Sequence, residues 1–555
     1  MDTTITLGAP SVAVTTIAGV RRLALAHIGV AIAAFGIAAA MAMMQALSRA
    51  SLDLPFRSAS MYYMSVTAHG TLMALVFTTF FIMGVGYVVA ECALGREVPY
   101  RRLAWASFWI AVVGTLATVA TILAFKASVL YTFYPPLKAH PAFYIGLTMV
   151  VVGSWGWSAV MLLSLRAWRR ENVGQPIPLA MYGFVATVIV WLLATAGVAA
   201  EMLLLLIPWS LGLTKTVDPE LARMLFWWFG HPLVYFWLLP AYAIWYTVLP
   251  RAAGGQLFSD PLGRLVFAMF ILLSTPVGFH HQFMDPGIAT GWKMLHTFNT
   301  LWILYPSFVT AFTIIASLEI AGRAHGGEGL FGWIRPLPWG DPLVSSVILS
   351  MLLFAFGGWG GAINASFGMN AVVHNTSWIP GHFHTTVGSA AALTFMGASY
   401  WLLPRLLGKR LELAPMARVQ PYIWFAGMLL FSIPTHITGV MGMPRRVYDA
   451  SYGEHPTALS WRPLTDLSAI GGLLLFASAL FFVLVVLFTW FGTADKAEPI
   501  EFAEALEAPG QWALMFDRLG LLTAAAILLV LISDGPPLWN HLQMVRYGSP
   551  GFSPF

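Results

Sequence analysis

The sequence predicts an all-α fold, a polytopic transmembrane bundle of about thirteen spans, each near 20 residues. Three observations carry this. Of the 555 residues 58% are hydrophobic and only 10% are charged, where a soluble chain carries about 25% charge. Mean hydropathy is +0.75. The apolar runs are joined by short segments rich in Pro and Gly, so no soluble domain fits between them, and residues 1–555 read as a single domain.

Taken in order, the apolar runs start near Leu23, Ser65, Leu103, Phe143, Leu179, Arg223, Leu265, Thr297, Leu343, Trp378, Tyr422, Leu467 and Leu519. Some of the 23 Trp and 38 Phe belong in interfacial belts. No internal repeat is evident. Met1 to Val20 has no basic n-region, because Arg21-Arg22 follow the apolar stretch; the first span is therefore expected to stay in the mature protein.

The net charge of +5 does not point to nucleic acid, because most Lys and Arg lie in short segments between spans. Arg21-Arg22, Arg101-Arg102, Arg166/Arg169/Arg170 and Arg405/Lys409/Arg410 fall on one side of a thirteen-span arrangement. About 18 basic residues lie on that side and about 11 on the other, which predicts a cytoplasmic N-terminus and an outer C-terminus. The acidic segment Ala494 to Glu507 opposes this only slightly. Arg445-Arg446 lie on the outer side, where topology gives them no role.

Cys92 is the single cysteine, which excludes an intrachain disulfide, a zinc ribbon, an iron–sulfur cage and a two-cysteine copper site within this chain. Metals must depend on the 14 histidines. Ionisable groups inside spans are costly and usually functional. His69 lies in span 2, His231 in span 6, His280-His281 end span 7, and His382 and His384 begin span 10.

Two helical steps of about 100° put His382 and His384 on nearly opposite faces. They cannot share a metal, but they can ligate two cofactors on either side of one helix, as axial imidazoles of planar macrocycles. His231, His280 and His281 offer three imidazoles with an open fourth position, which suits copper or zinc. Adjacent histidines diverge on an ideal helix, yet Pro276 and Gly278 precede this pair and allow local distortion. The alternative is a polar helix end at the membrane surface.

Tyr235, Tyr242 and Tyr246 lie at about 40°, 20° and 60° from His231 around an ideal helix, with Pro240 inside the stripe. Thr300, Ser307 and Thr310 form a matching stripe within roughly 80° of arc on span 8. Such hydroxyl chains relay protons; singly, each hydroxyl could instead bond helix to helix.

With these residues in place the chain resembles subunit I of the haem–copper oxygen reductases, most of all the B family of ba-type cytochrome c oxidases. The resemblance runs through nearly all spans and rests on six histidines in order, the His-Pro-x-x-Tyr spacing at His231–Tyr235, and the His382-x-His384 pair. It implies His69 and His384 as ligands of a low-spin haem, b-type, and His382 as ligand of a high-spin haem, a-type. One copper ion would be held by His231, His280 and His281. Tyr235 would be bonded covalently to His231 and supply an electron and a proton when the oxygen–oxygen bond is cleaved. Tyr242, Tyr246, Thr300, Ser307 and Thr310 match the family's proton-uptake path. Arg445 and Arg446 match its propionate-binding pair, and His374 and Asn375 its propionate-side loop. Asn370, on the same side, replaces an aspartate of the best-known B-family sequence.

The resemblance also implies a dinuclear-copper subunit II, a small single-span subunit, cytochrome c or a similar donor, and the inner membrane of a bacterial or archaeal cell. Leu233 stands where the A family has a glutamate, which argues against a glutamate-gated second channel. Glu201, an acid in span 5, is open to a pairing or a functional reading. His27, His296 and His436 match no ligand motif and read as satisfied core histidines; Arg223 and Asp285 are a candidate pair. Nitric oxide reductase, which shares the histidine scaffold but uses non-haem iron with nearby glutamates, and a proton-coupled transporter are the competing readings.

Overall fold

The computed structural model describes residues 19–51, 58–496, 498–544 and 547–553. The reading of Met1 to Val20 falls almost wholly outside them. Every one of the thirteen apolar runs coincides with helix. Among the described residues ten helical segments are long and apolar enough to cross a membrane, from Arg21–Ser48 to Leu519–Gln543. The other three runs are helical but differ in character. Pro219–Thr247 carries a histidine, two internal prolines and many Trp and Tyr. Asp260–Leu273 has 14 residues before it gives way to a 3₁₀ turn, Gly278–Gln282. The tenth run divides at Ala391 into Trp378–Ala390 and Ala392–Leu407.

Local sequence sets the helix starts. Asp218, Asp341 and Ser259 each accept a hydrogen bond from a first-turn backbone N–H, and proline stands in that first turn. Such prolines forgo an N–H that would be orphaned anyway. Ala59–Leu94 is the most enclosed long segment, with 89% of its most apolar window buried, so it runs through the bundle's centre. Thr290–Ala324 instead turns Phe298, Leu301, Trp302, Tyr305, Phe308 and Phe312 outward. An apolar face that wide is stable against acyl chains rather than water. Arg101–Leu123 and Pro141–Glu171 meet through Gly114 and Gly146; a Cβ at Gly114 would lie 2.4 Å from the Gly146 carbonyl oxygen. Small residues permit this close approach.

Polar clamps close the two ends. At one end Arg264, 1% exposed, donates to Asp260, to Asp517 at 2.7 Å and to the Ile177 carbonyl at 2.6 Å, joining three segments. On that side Leu257–Ser259 pairs in parallel with Ala505–Glu507, and the Ala503 N–H donates to the Thr247 carbonyl. At the other end Thr216–Val217 pairs antiparallel with Ser549–Pro550.

Candidate functional site

The site grows from three irregularities in otherwise regular helices. The first follows His69 on the central segment, where Leu72–Phe77 forms a π-helical turn. The second is the Gly278–Gln282 turn. A Cβ at Gly278 would lie 2.3 Å from the Trp227 carbonyl oxygen, so only glycine allows the turn to press against the Pro219–Thr247 helix. That contact carries His280 and His281 to His231. The third is the short Trp378–Ala390 helix with His382 and His384.

His231, His280 and His281 come together: one ring nitrogen of each lies within 4.8 Å of the others. His231 Nδ1 and His281 Nε2 are 3.1 Å apart. The 3₁₀ backbone lets neighbouring histidines converge, with His280 and His281 ring centroids 4.4 Å apart. Trp227 stacks on His281 at 3.8 Å and 6°. Thr300 donates its single hydroxyl hydrogen to the His296 carbonyl at 2.6 Å, so it accepts from His280 Nδ1 at 2.7 Å. That fixes the tautomer and leaves His280 Nε2 with a lone pair for a metal. Among the described residues the cluster contains imidazoles only, a donor set that fits copper.

Trp378–Ala390 separates two cavities. His382 faces the first, shared with the three-histidine cluster and Tyr235. His384 faces the second, shared with His69, Arg445 and Arg446. His69, His382 and His384 each donate from Nδ1 to a backbone carbonyl: Ala38 at 3.0 Å, Gly357 at 2.9 Å and Pro380 at 2.7 Å. Each Nε2 is thereby a free acceptor. The His69 and His384 planes are parallel within 3°, yet their centroids are 6.1 Å apart, too far to stack in contact. A metal between two imidazoles, with metal–nitrogen bonds of about 2.0 Å and ring centres about 1.1 Å further out, requires roughly 6.2 Å. The spacing therefore fits a haem iron, which His69 and His384 would hold between them.

Arg445 donates to Asn375 Oδ1 at 3.0 Å and Arg446 to Thr132 Oγ1 at 3.2 Å. Among the described residues neither guanidinium has a carboxylate partner, and Arg445 Nε and Arg446 Nη2 are buried without a hydrogen bond. Such a pair fits the carboxylates of a haem edge. Burial and the neighbouring Arg446 bring the Arg445 pKa down to about 10. Burial, then Arg445, lowers His374 to about 4, so it stays neutral near pH 7. Asn370 donates to the Asn364 carbonyl at 2.6 Å, and its buried Oδ1 has no hydrogen bond among the described residues.

The two hydroxyl stripes meet in register. Tyr242 donates to Ser307 at 3.1 Å and Tyr246 to Thr310 at 2.9 Å. Thr300 differs from its fellows by contacting a cluster imidazole. His231 and Tyr235 lie on one face with centroids 5.0 Å apart, and His231 Nε2 is buried without a hydrogen bond among the described residues.

Arg223 pairs with Asp285 at 2.8 Å, as anticipated. His27, His296 and His436 bond to the backbone through Nδ1, His27 and His436 donating at 2.8 Å and 2.7 Å and His296 accepting at 3.2 Å; His27 Nε2 is left over. The pairing reading of Glu201 does not hold: it opens the π-helical turn Glu201–Leu206, and both its oxygens are buried without a hydrogen bond among the described residues. Sequence reasoning missed Trp227, Lys293 and Asn299. Lys293 was detectable, being a lysine seven residues before Thr300 on the same helical face.

A bundle that frames two histidine-lined cavities about one short helix, with a three-imidazole cluster beside one of them, defines the haem–copper class of membrane oxidases. The chain belongs to the family Cytochrome C and Quinol oxidase polypeptide I, which matches residues 22–474; it is the catalytic, subunit I component of such an oxidase. It is 45% identical over 504 residues to cytochrome c oxidase subunit 1 of Thermus thermophilus, covering 89% of each chain. It is 27% identical over 466 residues to cytochrome c oxidase subunit 1 of Synechocystis sp., covering 79% of this chain and 77% of that one. A solved haem–copper terminal oxidase dimer superposes with a TM-score of 0.91 at 35% identity, covering 96% of this chain and 95% of that one. Membership implies haems, copper, other oxidase subunits and a membrane.

Proposed function

We propose that this subunit reduces dioxygen to water between His382 and the His231–His280–His281 cluster, taking electrons through the His69–His384 site and coupling the reaction to proton translocation. The observation that carries the reading is the Trp378–Ala390 helix, which turns His382 to the copper-type cluster and His384 to His69. The low-spin haem is b-type, the high-spin haem a-type, and electrons arrive from a dinuclear-copper subunit II fed by cytochrome c or a similar donor. A small single-span subunit completes the complex. The chain sits in the inner membrane of a bacterial or archaeal cell with its N-terminus in the cytoplasm.

Bound at these positions, the two haems and the copper supply the electron transfer and dioxygen chemistry. The chain's own residues do the rest. His69, His382 and His384 are aimed by backbone carbonyls. Arg445 and Arg446 hold propionates, with His374 and Asn370 on the same side. Protons enter along Tyr246, Thr310, Tyr242 and Ser307 toward Thr300. Tyr235 would give a proton from its hydroxyl together with an electron to the dioxygen being cleaved, and regain the electron through the His69–His384 site and the proton from the hydroxyl path before the next turnover. The Nε2 of His231, without a hydrogen bond among the described residues, would form the covalent bond to the Tyr235 ring, one hydrogen leaving the nitrogen and one the ring carbon, with the two electrons passing to dioxygen. The imidazole-only cluster and Leu233 speak against nitric oxide reductase.

A reduced-minus-oxidised spectrum with and without carbon monoxide, together with elemental analysis, tests the reading. Two haem signals, one of them perturbed by carbon monoxide, and two irons per copper in this subunit are expected. Iron at the three-histidine site would overturn it.

A further inference from the structure

Between Asp260–Leu273 and Thr290–Ala324 the backbone leaves the α-helix in the interior, with only the short 3₁₀ turn Gly278–Gln282. Val277, Phe279 and Gln282 are fully buried, and His280 and Asp285 nearly so. Backbone of this kind is tolerated inside a membrane protein only where its polar groups find protein partners. Those partners come from one face of the next helix. Asn299 Nδ2 donates to the Pro276 carbonyl at 2.8 Å. His296 Nδ1 accepts from the Phe279 N–H at 3.2 Å. Thr300 accepts from the His280 ring at 2.7 Å. Lys293, 7% exposed, donates to the carbonyls of Phe283 at 2.8 Å and Asp285 at 2.7 Å.

These four residues span about 120° of arc on an ideal helix, opposite the lipid-facing stripe of Phe298 and Trp302. The face is anchored from behind. His296 Nδ1 is an acceptor, so Nε2 carries the hydrogen and donates to the Ser533 carbonyl at 3.3 Å. Asn299 also donates to Ser533 Oγ at 3.3 Å. Ser533 lies in the last helical segment, beyond the family-matched residues 22–474.

We infer that Lys293, His296 and Asn299 are positioning residues for the copper: braced by Ser533, they form a template that holds the Pro276–Asp285 turn so that His280 and His281 converge on His231. Five contacts from one helical face fix this ten-residue turn at both ends and at its centre. Adjacent histidines have no intrinsic tendency to converge, and an untethered turn would let one ring swing out of the cluster.

The inference rests on the copper reading of the cluster. The test uses the purified multi-subunit oxidase with Lys293→Met, His296→Phe and His296→Gln. Phenylalanine keeps the ring's volume but neither polar contact; glutamine can accept from Phe279 and donate to Ser533. Copper per haem, the low-spin haem spectrum and the infrared band of carbon monoxide photolysed onto copper are measured. Lys293→Met and His296→Phe are expected to weaken copper retention about 10-fold, the low end of what losing a ligand's own hydrogen-bond partner costs, because they act on the backbone that carries His280 and His281. They should broaden or shift the copper–carbonyl band while the low-spin haem stays intact, and His296→Gln should restore much of both. Wild-type copper content and band in Lys293→Met and His296→Phe would overturn the template. So would loss of low-spin haem in step with copper, which marks a general folding role. Absence of copper from the wild type would instead sink the copper reading itself.

Discussion

Tyr246 donates a hydrogen bond to Thr310 at 2.9 Å, and Thr310 passes its own hydrogen to the Pro306 carbonyl at 2.8 Å. The rung is therefore polarised, and a proton moving along it requires the Thr310 hydroxyl to rotate. Tyr246→Phe and Thr310→Val each remove one partner and keep most of the packing. Turnover should fall roughly tenfold, equivalent to about 1.4 kcal/mol on the barrier. Haem absorption should stay unchanged, since neither side chain touches a haem ligand. Stopped-flow proton uptake at wild-type rate in both variants would show that these hydroxyls only join helices.

Tyr235 and His231 share a helical face, and among the described residues the His231 Nε2 makes no hydrogen bond. Peptide mass spectrometry of the wild-type protein should find the segment containing both residues lighter by two hydrogens. Tyr235→Phe keeps the ring's shape and should fold and take up haem. Dioxygen reduction should be strongly impaired while carbon monoxide still binds. An unmodified peptide together with a fully active Phe variant would remove Tyr235 from the chemistry.

Arg445 and Arg446 present guanidinium nitrogens to the His69–His384 cavity with no carboxylate to balance them among the described residues. Positive charge beside a haem favours the reduced form. Arg446→Gln should lower the midpoint potential of the low-spin haem, by roughly 60 mV for each tenfold loss of that preference. A redox titration that returns the wild-type value would place the propionates elsewhere.

Gly278→Ala puts a methyl group 2.3 Å from the Trp227 carbonyl oxygen, so the turn must move away from the Pro219–Thr247 helix. Overpacking of this kind costs about 1–3 kcal/mol. The displacement falls on His280 and His281, so copper should be lost before haem. Thermal melts and metal analysis read the two effects separately. A variant with wild-type melting and full copper would mean that the backbone absorbs the methyl without moving the turn.

The bundle was legible because apolar length is a strong signal: each anticipated start falls on a helix. Legibility failed where the chain departs from regular geometry. The π-helical turns at Leu72–Phe77 and Glu201–Leu206 leave no mark in hydropathy. The break at Ala391 separates two short helices that read as one apolar run. The histidines of the site were legible because they stand out in apolar sequence and His-x-His spacing dictates opposite faces. Their hydrogen-bond partners were not, because Ala38, Gly357 and Pro380 act through main-chain oxygens that every residue possesses. His296 reads from sequence as a core histidine and is one, but its two contacts reach the Pro276–Asp285 turn and the last span, a relation between distant segments that spacing cannot show.

The main-chain origin of those three acceptors bears on how the site can drift over generations. A side-chain acceptor is lost by a change in one codon. A carbonyl persists through substitution at its own residue as long as the helix carrying it stays in place. Ala38 can therefore vary in size, within what its packing admits, without disturbing the ring of His69. The aim of His69, His382 and His384 is inherited through helix positions, and mutational damage to it should come from changes that shift whole segments.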